Sequence, residues 1–164
     1  MSNRSATLAA LAAICALFAA PARSAEAPPA APSAPQPDYH PSLADLMTSA
    51  VQPRHIKIGI AGKARNWTYL AYESSEMRNA FNRIARTIPT YRKTALTDLF
   101  ASGVIPALDD LDAAIKAKNA AKFDTAYGAV TEACNACHMS LEHAYVVIRA
   151  PLASPYPDQD LRPH

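Results

Sequence analysis

The sequence predicts an all-α fold, an antiparallel four-helix bundle in up-down-up-down order, on three observations. Apolar residues between Ser42 and Ile148 recur at spacings of three and four, and no segment shows the convincing two-residue alternation of a half-buried strand. Asparagine, glycine and proline punctuate these stripes where helices start and stop. The connections are short, which makes sequential helices antiparallel neighbours. A chain of 164 residues, 50% apolar, has room for one modest core.

The N-terminus is set aside first. Arg4 precedes an apolar run from Leu8 to Ala20, and small residues offer cleavage points near Ala22, Ser24 or Ala25. Residues 1–24 therefore read as a signal peptide, the run being shorter than the roughly 20 residues a spanning helix needs. Ile14 is not the small residue that precedes a lipid-attachment cysteine, which argues against that role for Cys15. Export to the periplasm is the expectation. Residues 25–41, rich in proline and alanine, read as an extended linker. Residues 42–148 make the helical domain, and 149–164 an extended tail whose Leu152 and Tyr156 are placed to lie against it.

The first helix is expected from Ser42 to about Ala64, with Pro53 inside it. Met47, Val51, His55, Ile58 and Gly62 share one side. Gly62 as a stop and Asn66 as a cap separate it from a second helix carrying Trp67, Leu70, Met77, Phe81, Ile84 and Ile88, ended by Pro89. A single fused helix from Arg54 to Ile88 is the competing reading. The third helix, about Thr94 to Lys118, carries Leu96, Phe100, Val104, Leu108, Leu111 and Ile115, with a kink expected at Pro106. The fourth opens at Asn119. Its stripe is Phe123, Tyr127, Val130, Cys134, Cys137, Leu141, Ala144 and Ile148.

Charge excludes some partners. Of 16 basic residues, Arg4 and Arg23 leave with the leader, so 14 bases stand against 14 acids. Neither this balance nor the four glycines of the chain suggest nucleic acid or a phosphate-cradling loop. The balance is uneven along the chain: nine bases and two acids lie between Arg54 and Lys93, seven acids and three bases between Asp98 and Glu142. Complementary faces within one domain explain this, and a basic docking patch for an acidic redox partner is the sharper alternative.

The chemistry concentrates in "EACNACHMSLEHA", residues 132–144. A thioredoxin-like pair at Cys134 and Cys137 would need a βαβ setting, and zinc would need four ligands. Covalent haem attachment uses all three residues of the motif. Thiols three apart share a helical face and can each bond a vinyl group, while His138 reaches the iron as proximal ligand. Haem attachment of this kind belongs to exported proteins, and no other cysteine remains after the leader is removed. One covalent haem c is the cofactor expected.

A helical bundle with a single Cys-x-x-Cys-His on its last helix resembles the cytochrome c-prime family, including its low-spin relatives. The likeness covers residues 42–148 in architecture, with motif-level matches only at Cys134, Cys137 and His138. The resemblance implies haem c held between helices, with the first helix on the distal side. Family members with an apolar distal wall bind nitric oxide or carbon monoxide at five-coordinate iron; those with a methionine there are six-coordinate electron carriers. An antiparallel homodimer is compatible with the resemblance. Glu142 stands where the family often has a basic residue, and a proline-rich tail follows the last helix, both departures from the pattern.

Two residues of the first helix are candidates for the position opposite the iron. With a fourth helix running to Ile148, His138 lies about 15 Å from its end, His55 about 20 Å from Ser42 and Met47 about 8 Å. That register favours His55 as distal ligand; its alternative is a core or rim histidine. Met47 is the lesser ligand candidate. His143 is about 140° around the helix from His138 and cannot reach the opposite face of the same haem. Arg54 and Lys57 are candidates to pair with haem propionates, and Trp67, Tyr69 and Tyr72 to wall the haem or pack the core. The expectation is a monohaem electron carrier, not an enzyme, whose partners are periplasmic or membrane-bound redox proteins. The alternative is a binding module for nitric oxide or carbon monoxide.

Overall fold

The computed structural model describes residues 38–164, so the expected signal peptide and most of the expected linker lie outside the described residues. The described chain is mostly helical. Its elements are α1 (Leu43–Leu46), a π-helical turn (Met47–Val51), α2 (Gln52–Lys63), α3 (Trp67–Thr87), β1 (Thr90–Tyr91), β2 (Thr94–Ala95), α4 (Leu96–Ser102), α5 (Val104–Lys116) and α6 (Ala120–Ser140). Helix α2 packs on α3, α3 on α5, α5 on α6, and α6 returns to α2. Among the described residues no helix is long and apolar enough to cross a membrane.

The first helical stretch opens with a capping box. Ser42 Oγ accepts from the Asp45 amide at 3.1 Å, and the Asp45 carboxylate accepts from the Ser42 amide at 3.0 Å. The stretch is not a uniform α-helix, because Pro53 has no N–H and its ring would strike the carbonyl four residues back. The π-turn supplies the slack, with the Gln52 amide donating to Met47 five residues earlier.

Helices α2 and α3 are separate. Gly62, expected to stop the helix, instead lies inside it, where a Cβ would collide with the ring of Phe123 on α6. The turn falls at Arg65, which takes a left-handed φ of 56°. Arg65 N donates to Gly62 O and Asn66 N to Ala61 O, each at 3.1 Å, the paired bonds of a Schellman motif. Asn66 then caps α3 by accepting from the Tyr69 amide at 3.2 Å.

The expected third helix is two, broken at Gly103 rather than kinked at Pro106. Pro106 is the third residue of α5, where an N–H would have no intrahelical acceptor, so it is tolerated there. Ahead of α4 stands a strand pair that the sequence does not announce. Thr90 pairs with Ala95 and Tyr91 with Thr94, across a turn in which Arg92 has a φ of 54°.

Helix α6 starts as expected, with Asn119 accepting from the Lys122 amide at 3.0 Å. It ends at Ser140, eight residues before Ile148. Glu142 turns left-handed at a φ of 63°, and the His143 amide donates to His138 O at 2.7 Å while Glu142 N donates to Met139 O at 3.1 Å. This second Schellman closure stops the helix although the three-and-four spacing runs on through Ala144 and Ile148.

Ile58, Leu70, Met77, Ile84, Leu108 and Val130 are fully buried, each stabilising the fold by about 1.5–3 kcal/mol. Four of the bases between Arg54 and Lys93 meet acids: Arg54–Glu73, Arg65–Asp124, Arg78 with Asp109 and Asp112, and Arg92–Glu142. The tail is anchored by Leu161, which is buried, whereas Leu152 is 88% exposed. Lys63 Nζ donates to Pro151 O at 2.6 Å, the Asn66 amide donates to the carbonyls of Leu161 and Arg162, and Lys57 lies over the Tyr156 ring.

Candidate functional site

The first helical stretch, α3 to α6 and the segment after α6 line a partly open, mostly apolar cavity of about 100 Å³. That is smaller than the roughly 300–1,000 Å³ of small-molecule and cofactor sites. Phe81 and Phe100, in edge contact at 5.0 Å, form part of one wall. Trp67, Tyr69 and Tyr72, the aromatics expected to wall the site, do not line it. Trp67 packs edge-on against Phe123, and Tyr72 is 55% exposed. Among the described residues no Asp, Glu, Lys or Arg lines the cavity.

Helix α6 brings Cys134, Cys137 and His138 to this cavity together. The two thiols are free and half-buried. Burial, and then the neighbouring Cys137, push the Cys134 thiol up to about 12, and burial raises Cys137 as well, so both are protonated at neutral pH. Among the described residues no three His, Cys, Asp or Glu side chains converge as a metal cage would.

His138 is oriented by the segment that doubles back after the helix end. Its Nδ1 lies 2.8 Å from the carbonyl oxygen of Val146. A carbonyl only accepts, so Nδ1 carries the proton and the Nε2 lone pair is left to act as a ligand. The same returning segment places Val146 and Ile148 on the cavity.

His55 also borders the cavity, but its ring is engaged elsewhere. It is buried and stacked on Tyr127 at 4.9 Å between centroids. Nε2 is 2.9 Å from Thr131 Oγ1, and Thr131 donates its own proton to Tyr127 O at 3.0 Å. The hydroxyl therefore accepts from His55 Nε2–H. On the other side the Tyr127 hydroxyl lies 3.2 Å from Nδ1 and 3.0 Å from the His55 carbonyl. Burial pushes the imidazole down to about 4, keeping it neutral.

These bonds put His55 level with Thr131, seven residues and about 10 Å before His138 along the helix. The earlier register assumed a helix continuing to Ile148; with α6 ending at Ser140, His138 is two residues from its end. Met47, in the π-turn, lines the cavity alongside His138.

The remaining candidates lie apart from the cavity. Arg54 pairs with Glu73 at 2.9 Å. Lys57 is engaged with Tyr156. His143 bonds Tyr91 and Tyr145 through its two nitrogens at 3.0 and 2.8 Å. Thr131, Asn135 and Val146 escaped the sequence reading: polar residues on a helix and a backbone carbonyl carry no motif. No protein-family model, curated protein or solved structure matches the chain.

Proposed function

We propose that the mature protein is an exported monohaem c-type cytochrome, a four-helix bundle of α2, α3, α5 and α6 that passes single electrons between periplasmic redox partners. The observation that carries this reading is the convergence of two free thiols and a tautomer-fixed imidazole on one apolar cavity. Cys134 and Cys137 would hold haem c, each S–H adding across a vinyl C=C so that no electrons are gained or lost. His138 would be the proximal ligand through Nε2. When bound, the haem supplies an Fe(III)/Fe(II) couple.

The chain's own residues do the rest. Val146 O holds the proton at His138 Nδ1 and fixes the ring plane. Phe81, Phe100 and their apolar neighbours keep water from the site, which influences the potential. Met47 would be the second side chain to hold the iron. Its thioether borders the same cavity as His138, whereas His55 would have to break its bond to Thr131 to offer Nε2. Iron held by two side chains would suit an electron carrier, because neither side chain needs to rearrange between oxidation states.

The test is expression with haem maturation, followed by optical and electron paramagnetic resonance spectra with and without carbon monoxide. The wild type is expected to be low-spin and indifferent to carbon monoxide. Met47→Ala is expected to become high-spin and to bind it, while His55→Ala stays low-spin. High-spin wild type that binds carbon monoxide would replace electron transfer with gas binding, and a chain that takes up no covalent haem would end the cytochrome reading.

A further inference from the structure

The segment that follows α6 is fastened at several places, two of them beside His138, and the second of these has no role in the reading so far. The first is the Schellman closure at Glu142 and His143. The second is Asn135, inside the Cys-x-x-Cys-His motif. Its side-chain amide donates to Ile148 O at 2.9 Å and accepts from Ile148 N at 2.7 Å, imitating a strand pairing with one residue. Two residues back along that segment is Val146, whose carbonyl receives the His138 Nδ1 proton.

We propose that Asn135 is a positioning residue that clamps the returning segment at Ile148 and so holds the Val146 carbonyl against His138, setting the orientation and electron-donating strength of the imidazole. This rests on the cytochrome reading, with His138 as the proximal ligand. Asn135 is three residues before His138 and shares its face of the helix, so one short side chain spans to the segment where an apolar residue would leave it free. Val146 is 41% exposed; its amide donates to His143 O at 2.8 Å, which holds the near end of the segment, and Asn135 holds the far end. A hydrogen bond from the non-ligating nitrogen raises ligand basicity, which favours the oxidised metal. Losing the clamp therefore shifts the couple toward the reduced form.

The test compares haem-loaded wild type with Asn135→Ala and with Asn135→Leu, which keeps the branched shape without the hydrogen bonds. Two quantities are read: the solvent exchange rate of the His138 Nδ1 proton by nuclear magnetic resonance, and the oxidised-to-reduced ratio at a fixed applied potential. Exchange at least about tenfold faster is expected. The ratio is expected to move about tenfold toward the reduced form, which is about 59 mV for one electron. Exchange and ratio both unchanged in a variant that matures would overturn the clamp while leaving the cytochrome reading intact. Should neither variant mature, the wild type decides. A common exchange rate for the Ile148 amide and the His138 Nδ1 proton supports the clamp, whereas an Nδ1 proton that outlasts the Ile148 amide overturns it. Failure of the wild type itself to take up haem is a failure of the cytochrome reading, visible before the variants are compared.

Discussion

The Nε2 atom of His55 stands 2.9 Å from the hydroxyl of Thr131, and that bond ties the first helical stretch to α6 at a fixed level. With Tyr127 on the opposite nitrogen, the imidazole is a neutral crosslink rather than a free ligand. Its neutrality has a consequence for stability.

Because burial depresses the His55 pKa from 6.5 to about 4, the unfolded chain binds the proton more readily than the folded one. The contribution is fully present above pH 6.5 and is lost as pH falls from there toward 4, about 3 kcal/mol in total. Urea unfolding at pH 7 and pH 4 should show this loss in the wild type and a smaller one in His55→Gln, which cannot titrate. Equal losses in both would show that His55 does not govern the acid limb.

Arg54, a candidate propionate partner, pairs with a buried carboxylate. The Glu73 side chain is 1% exposed and its carboxylate meets the Arg54 guanidinium at 2.9 Å. Arg54→Ala leaves that charge buried and unpaired, and should cost about 3 kcal/mol, the lower end of what breaking a buried pair costs, because Arg54 itself is partly exposed. Arg54→Met with Glu73→Gln should recover most of it. Chemical denaturation of the single and double variants checks this; a single-variant loss below about 1 kcal/mol would mean water reaches Glu73.

At Gly62 the side of α2 that faces α6 has no room for a side chain. A Cβ there meets the ring of Phe123, which is packed between Trp67 at 6.0 Å and Tyr127 at 6.0 Å and has no room to turn aside. Alanine would gain up to about 1 kcal/mol in helix propensity. Overpacking costs about 1–3 kcal/mol, so Gly62→Ala should be net destabilising by about 1 kcal/mol. A thermal midpoint equal to or above that of the wild type would show that the two helices can separate freely.

The sequence by itself determined that the chain is mostly helical, where most helices begin and that Cys134, Cys137 and His138 lie together on one helix. Those properties are local: Asn66 and Asn119 cap within three residues of themselves, the stripes follow a fixed period, and the motif residues are neighbours on one turn. Tertiary structure decided the rest. Glu142 ends α6 by a left-handed turn that no residue type announces, so Ile148 continues the apolar period yet reaches the cavity by doubling back. That early end changed the level of His138 on the fourth helix, and His55, beside the same cavity, bonds Thr131. The acceptor for His138 is a backbone carbonyl, which every residue has, so only the path of the chain could choose Val146. Spacing along a helix is written in the sequence; the hydrogen bonds between distant segments depend on where the chain turns, and a single left-handed residue is enough to change them.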